Sequence, residues 1–244
     1  MQLSVRSCSG DSRRLPRPVL DFIGMKRTVF IAAAVILMAA FAYAGFAVVQ
    51  KRELHARVAE LVRSASGQLD EALLVDVNAP AAGQAERLAS AVARAEAGLQ
   101  QLRALATRPD PALVEAADPY VASVLEVLRR QAGATRHRAR FTDDRRQLDE
   151  HMARVGTRSA AWFAEAIRLR QRLDQDYYDY QLSMTSLDNL LRGLLQARRK
   201  LAARLPTVPL PEEAAVSRAR ERTLAAASAT KQELEQARRL VSPG

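Results

Sequence analysis

Cysteine is nearly absent from this chain of 244 residues. The one cysteine, Cys8, lies in the N-terminal tail. The remainder of the sequence therefore excludes a disulfide, a thiolate nucleophile and a cysteine metal site. No apolar run precedes Cys8, so its context does not resemble that of a lipoprotein acylation site.

Histidine is also scarce, and the three histidines are far apart in the sequence, at His55, His137 and His151. An imidazole metal site needs at least two converging ligands. Acidic residues next to His151 in sequence point to other faces of a helix. No Ser-His-Asp, paired-carboxylate or phosphate-loop pattern has supporting context either. The sequence therefore predicts no enzymatic activity, no metal site and no cofactor.

Strand-like alternation and glycine-rich loops are missing throughout, and no proline occurs between residues 120 and 205. Because proline interrupts helices, its absence permits very long ones. The expected fold class is all-α: an N-terminal transmembrane helix followed by an elongated, coiled-coil-like helical bundle.

Charge is absent from Thr28 to Val49, a run of 22 residues between Lys26-Arg27 and Lys51-Arg52. As a helix it would be about 33 Å long, enough to cross the hydrocarbon core of a bilayer. We therefore expect a single membrane span over residues 28–49, preceded by a basic tail at residues 1–27.

A second interpretation of this segment starts translation at Met25, which leaves residues 1–24 out of the protein. Lys26-Arg27, an apolar run and the small-x-small motif Ala42-Tyr43-Ala44 would then form a cleavable signal peptide. The apolar run continues through Val49, which favours an uncleaved anchor. The charge bias near the span favours an N-terminus inside and a periplasmic C-terminal domain, and the opposite topology is the alternative.

Residues 50–205 are expected to form the helical bundle. Asn78, Pro80 and Gly83 should end the first helix, and Asp118-Pro119 should open another as cap and first residue. Gly156 marks a weak point, followed by Thr157 and Ser159 as N-caps. A long coiled-coil helix over 159–205 then follows, with apolar residues spaced 3 and 4 apart and Arg170 and Arg198 as interruptions. Residues 206–211 read as a proline-rich linker and 212–244 as a C-terminal helix. The expected stripe of the long helix includes Phe163, Ala166, Leu173, Tyr177, Tyr180, Met184, Leu187, Leu191, Leu194, Leu201 and Leu205.

Arginines crowd into the segment from Arg129 to Arg146. Arginine binds phosphate and carboxylate groups with two parallel hydrogen bonds, so this cluster is a candidate site for an anion or a partner protein. The alternative is a solvated bend balanced by nearby carboxylates. The candidate residues are Arg136, Arg138, Arg140, Arg145 and Arg146. Tyr177, Tyr178 and Tyr180, with neighbouring aspartates, are a weaker candidate for a small pocket.

These features predict a single-pass protein of the bacterial inner membrane that acts as a protein-interaction or scaffold module. Its expected partners are the membrane, through the span from Thr28 to Val49, and envelope proteins or further copies of the chain. No nucleic acid partner is expected on the periplasmic side. The alternative function is a periplasmic ligand-binding or sensor module for a small anionic ligand, either anchored or cleaved and soluble. In a cytoplasmic topology, the net charge of +6 on residues 50–244 would favour nucleic acid or anionic lipid.

Overall fold

The structure, a computed structural model, describes residues 21–78, 83–106, 110–154 and 159–241, with side chains from residue 33 onward. These residues form helices α1 (Asp21–Leu73), α2 (Gln84–Ala104), α3 (Pro111–Ala153), α4 (Ala160–Ala202) and α5 (Glu213–Val241). No strand occurs in the described ranges, which confirms the predicted all-α class. The chain divides into two units, Met1–Val49 and Gln50–Gly244.

The first unit contains the predicted apolar helix. Its described side chains are largely exposed, including Ile36 (68%), Phe41 (76%) and Tyr43 (75%). One helix in the described part of the chain is long and apolar enough to cross a membrane, and it is this one. A signal sequence near an N-terminus has the same properties. Of the predicted basic tail over residues 1–27, residues 21–27 belong to α1, and residues 1–20 lie outside the described ranges, as do residues 242–244.

The second unit is organised around the antiparallel hairpin of α3 and α4. Each of these helices has 43 residues and is therefore about 65 Å long. Near the turn of the hairpin, the rings of His151 and Trp162 stack at 4.9 Å. Helix α5 runs back along α4, with ion pairs from Arg198 to Glu213 at one end and from Arg238 to Asp174 at the other.

The buried core changes composition along this hairpin. One half is a large cluster to which all five helices contribute, including Leu54, Leu102, Leu128 and Leu191. Near the hairpin turn, a small cluster comes from α3, α4 and α5 alone, built on Phe141, Leu148, Leu169, Leu173, Leu234 and Ala237. A third cluster lies between the two and consists of Val77, Ala134, Tyr180, Met184 and Ala226. Because fewer helices pack near the turn, more of the surface of α4 stays uncovered.

The prediction that a helix opens at Pro119 is wrong, because α3 begins at Pro111 and passes through Pro119. Pro111 is the residue that occupies the first turn, where a missing N–H has no cost. Pro119 is exposed and flanked by buried Ala117 and Tyr120, so burial of its neighbours maintains the helix despite the interruption.

The long helix predicted after Gly156 is α4. Ser159 is its N-cap, and its side chain accepts a hydrogen bond from the Trp162 N–H at 3.2 Å. Gly156 and Thr157 lie outside the described residues. Beyond α4, Leu205 and Val208 are buried in the core before α5 begins.

Candidate functional site

The predicted arginine cluster is divided among different faces of α3. Arg138 is buried, with 8% of its side chain exposed, and donates to both carboxylate oxygens of Glu233 on α5 at 3.0 and 2.8 Å. Arg145 binds the Asp149 carboxylate at 2.9 Å and donates to the backbone carbonyl of Glu233 at 2.7 Å. These two arginines hold α5 against α3.

The other three predicted arginines are exposed. Arg146 pairs with Asp143 at 2.5 Å and lies 3.7 Å from Glu150. Arg136 donates to the carbonyl of Ala132 at 3.3 Å in its own helix. Arg140 borders a shallow cleft between α3 and α4. The structure therefore does not bring the five arginines together around one space, and carboxylates of the bundle already bind Arg138, Arg145 and Arg146.

That cleft has a volume of about 290 Å³ and is lined by three carboxylates, Asp143, Asp144 and Asp176, together with Arg140 and Arg172. Burial and a hydrogen bond to Asp144 raise the pKa of Asp176 to about 6, against the lowering effect of Arg140. Two carboxylates this close cannot easily both ionise. The cleft therefore contains a group that titrates just below neutral pH.

The end of α1 is held by polar side chains from two other helices, α3 and α5. Gln131 donates to the carbonyl of Ala72 at 2.6 Å, and Arg222 donates to the carbonyl of Leu73 at 2.6 Å. Both carbonyls belong to the last turn of α1, where the helix leaves carbonyl groups unpaired. The structure thus caps this helix with side chains that are distant in sequence.

Asn78, just after α1, continues this network. Its carbonyl accepts from Arg138 Nε at 3.2 Å, and its side-chain oxygen accepts from the Tyr180 hydroxyl at 3.3 Å and from Thr230 at 3.5 Å. Sequence reasoning predicted Asn78 only as a helix terminator. Nothing in the local pattern indicates partners on α3, α4 and α5.

A cavity of about 400 Å³ lies beside this network. Its lining is mostly apolar, with Val127, Leu187 and Ala226 among the contributors, and includes the polar side chains of Gln131 and Arg222. Small-molecule sites commonly combine a mainly apolar lining with a few polar groups. The cavity is therefore the best candidate in the described residues for a small ligand.

The outer face of α4 carries a row of exposed apolar side chains, here called the outer stripe. Its members are Phe163, Ile167, Tyr178 and Leu182, which are 49%, 45%, 62% and 57% exposed. At about 100° per residue, the four lie within an arc of about 100° on the helix. Phe163 was predicted to belong to the buried stripe, but Leu169 is buried in that region instead, at 4% exposed.

Two charged residues lie along the outer stripe. Arg170 is half-buried, and its Nε is buried without a hydrogen-bond partner among the described residues. Asp174, one turn further along, accepts from Arg238 at 2.8 Å. Arg198, the other predicted interruption, instead binds Glu213 at 3.1 Å and the carbonyl of Pro211 at 2.5 Å. Arg170 is thus the interrupting arginine without a carboxylate partner in the described part of the bundle.

The histidines contribute no cluster of metal ligands. In the described ranges, no group of three or more His, Cys, Asp or Glu residues could hold a metal ion. His151 lies under the indole of Trp162, and its Nε2 is 3.0 Å from the Trp162 carbonyl. Burial lowers the pKa of His137, partly offset by Asp179.

The chain was compared with known proteins at the level of family, sequence and fold. No family model matches it, and no curated protein and no solved structure is significantly similar to it. Its function is therefore inferred from its own residues and their arrangement.

Proposed function

We propose that this chain is a single-pass, membrane-anchored protein of the bacterial cell envelope that acts as a protein-interaction or scaffold module. In this proposal, the segment from Thr28 to Val49 anchors it in the inner membrane. Residues 50–244 then form an elongated, coiled-coil-like bundle on the periplasmic side. The proposal includes no reaction and no cofactor.

The outer stripe is the observation that carries this proposal. Four large apolar side chains line one face of a single helix, and each leaves 45% or more of its surface exposed. Single exposed apolar residues are ordinary, but Phe163 with Ile167 and Tyr178 with Leu182 form two apolar pairs on the same face, and apolar patches often mark interaction sites. Aromatic residues such as Phe163 and Tyr178 are also enriched where proteins bind each other.

The ion pairs of the arginines on α3 support the same proposal. An anion site needs guanidinium groups that are free to reach a ligand together. Arg138, Arg145 and Arg146 are instead engaged with Glu233, Asp149 and Asp143. The cluster therefore contributes to holding the bundle together, and the exposed apolar face is the stronger candidate for contact with partners.

Site-specific photocrosslinking in living cells tests the interaction function. A photoreactive phenylalanine analogue is placed at Phe163 or Tyr178 of the full chain, and crosslinked proteins are identified by mass spectrometry. The matched control position is Leu224 on α5, which is 51% exposed but has no apolar neighbours of this kind on its face. We expect defined adducts at the two stripe positions and none at Leu224. Adducts that are equally frequent at all three positions, or absent, contradict the proposal.

A ligand-binding module is the second candidate, and the cavity of about 400 Å³ near the end of α1 favours it. Arg222 at its lining is the cationic group that a small anionic ligand would meet. A ligand raises thermal stability by mass action, so a melting screen of the full chain with small organic anions tests this function. The control variant Ala226→Leu fills the cavity. A shift that survives in this variant argues against the cavity as the site.

A further inference from the structure

We propose that the cavity of about 400 Å³ at the end of α1 binds a small zwitterion with an apolar side chain, which is the chemistry of a free apolar amino acid. The carboxylate of the ligand pairs with Arg222, its ammonium group pairs with Asp76, and its side chain enters the apolar floor of the cavity. This inference rests on the ligand-binding function, the second candidate above, and specifies the chemistry of the ligand.

The cavity is apolar at its floor and charged at its mouth. Val127, Leu191 and Ala226 in its lining are buried, with at most 6% of each residue exposed. Asp76 and Arg222 in the same lining are exposed to solvent. Small-molecule sites range from about 300 to 1,000 Å³, so this cavity lies near the lower end of that range. It therefore suits a small ligand with an apolar body and a charged head.

Arg222 is fixed at the mouth by backbone groups. Its Nη2 donates to the carbonyl of Leu73 at 2.6 Å, and its Nε donates to the carbonyl of Arg218 at 3.4 Å. A guanidinium group has more N–H donors than these two contacts use. In the part of the chain that the structure describes, Arg222 has no ion-pair partner. Its charge is therefore held in place and remains available to the carboxylate of a ligand.

Asp76 is held in a similar way. Its Oδ1 accepts a hydrogen bond from the backbone N–H of Asn78 at 2.9 Å. No arginine, lysine or histidine among the described residues pairs with Asp76. Its second oxygen, Oδ2, can accept a hydrogen bond from an ammonium group. The mouth of the cavity therefore carries two opposite charges, on Asp76 and Arg222, each without an ion-pair partner in the described ranges.

The two charges together select a zwitterion. A simple anion is attracted by Arg222 and repelled by Asp76, and a simple cation experiences the reverse. A zwitterion places an opposite charge against each group, so it is favoured over both. The other polar side chains of the lining, those of Asn78, Gln131 and Thr223, already form hydrogen bonds within the bundle. The apolar floor then favours zwitterions that bring an apolar side chain.

Thermal melts and calorimetric titrations of the full chain in detergent test the ligand chemistry with matched probes. L-phenylalanine and L-leucine are compared with hydrocinnamate, which lacks the ammonium group, with phenethylamine, which lacks the carboxylate, and with glycine, which lacks the side chain. We expect the two apolar amino acids to raise the melting temperature by mass action. Each of the other probes should bind about tenfold more weakly or worse, because it loses a charge-assisted hydrogen bond or the apolar contact.

Substitutions at the mouth test which residues bind the ligand. Asp76→Asn keeps an oxygen for the Asn78 N–H but loses the charge, and Arg222→Gln loses the guanidinium group. Each should lower the affinity for L-phenylalanine about tenfold. The matched control is Arg218→Gln, which changes an exposed arginine of α5 outside this lining and should leave the affinity unchanged. Ala226→Leu fills the floor and should abolish binding. Circular dichroism verifies that each variant is folded.

Other outcomes overturn the inference. If hydrocinnamate binds as tightly as L-phenylalanine and Asp76→Asn has no effect, the cavity is a site for anions, and the ligand-binding function stands without the zwitterion. Binding of L-phenylalanine that survives Ala226→Leu places the ligand elsewhere on the chain. If neither L-phenylalanine nor L-leucine binds the folded natural chain, this ligand chemistry is excluded. The photocrosslinks at Phe163 and Tyr178 test the interaction function independently of all these results.

Discussion

At the scale of single residues, Arg138 is buried although arginine is rarely found inside proteins. Three groups account for it: both oxygens of Glu233, the carbonyl of Asn78, and the ring of Phe141 at 5.3 Å from the guanidinium carbon. Because these groups come from α3, α5 and the segment after α1, the side chain connects three parts of the bundle.

Arg138→Met should therefore destabilise the protein, because it leaves Glu233 without its partner. Breaking a buried ion pair costs about 3–5 kcal/mol, but Glu233 is 38% exposed, so we expect about 2 kcal/mol. Denaturant unfolding of the full chain in detergent measures the change. The matched control, Arg146→Met, breaks an exposed pair and should have little effect. Equal losses for the two variants would contradict the role of burial.

Asp176 makes a prediction about pH. Its folded pKa of about 6 lies above its ordinary value of 3.8, so the folded state retains a proton that the unfolded state releases between these values. This contribution to stability is present in acid and is lost as the pH rises through about 6. Between pH 4.5 and 7.5, the free energy of unfolding of Asp176→Asn should rise by about 1 kcal/mol relative to that of the natural chain. This figure allows for the partial exposure of Asp176 to solvent.

Thermal melts of both proteins across this pH range check the prediction. Asp143→Asn is an informative control, because Arg146 lowers the pKa of Asp143. The ionised Asp143 stabilises the folded state above its ordinary pKa, and this contribution is lost in acid. The variant should therefore become less stable relative to the natural chain as the pH rises. Parallel pH curves for the natural chain and Asp176→Asn would show that Asp176 is not perturbed.

The sequence predicted which residues are candidates for a site, but it did not predict which residues they contact. The density of arginine on α3 was visible in the sequence, and so was the alternative of nearby carboxylates. Glu233, the partner of Arg138, is 95 residues away. No local pattern indicates such a contact, because it depends on how α5 packs against α3. The roles of Asn78 and Arg222 at the end of α1 were missed for the same reason.

At the scale of helices, Pro119 is the clearest anomaly, because it lies inside α3 and beyond its first turn. Proline lacks the N–H that would bond to the carbonyl four residues earlier, and its ring crowds that carbonyl. Pro119 is exposed, so replacing it removes no core contact. We expect Pro119→Ala to raise the free energy of unfolding by about 1–2 kcal/mol.

Pro111→Ala is the matched control for this prediction. Pro111 is also exposed but lies in the first turn of α3, where its N–H would have no partner in the helix. Its replacement should leave stability unchanged or lower it slightly. Denaturant unfolding of the two variants side by side provides the comparison. A gain of the same size in both would mean that the interruption at Pro119 carries no cost.

The helices themselves were largely predictable, because their periodicity and caps are local signals. The predicted stripe of α4 correctly included Leu173, Tyr180 and Leu191. The prediction was wrong for Phe163, which is exposed. The spacing of 3 and 4 continues to this residue, but no partner helix covers that face of α4 there. On α5, Leu224 is exposed although it is apolar, whereas Thr223 and Thr230 are buried. Both threonine hydroxyls donate to backbone carbonyls of their own helix, at 2.9 and 3.0 Å, so their buried polar groups are hydrogen-bonded.

At the scale of the whole molecule, the apolar segment either stays joined to the bundle as an anchor or is removed by signal peptidase. A helix from Thr28 to Val49 with apolar side chains exposed on its described part would be unfavourable in water. In lipid the same surface is favourable, and all backbone groups of the helix are paired internally. The proposed anchor would keep this surface in lipid, whereas cleavage by signal peptidase after Ala44 would release the bundle.

We expect the full chain to fractionate with membranes and to resist alkaline extraction. Protease added to the periplasmic side should remove a C-terminal tag. The variant Ala42→Leu/Ala44→Leu destroys the small-x-small motif and should have the same subunit mass and location as the natural chain, apart from the substituted side chains. If the natural chain were instead shorter, soluble and beginning near Gly45, with the variant retained in the membrane, the segment would be a signal peptide. The outer stripe would then bind its partners free in the periplasm.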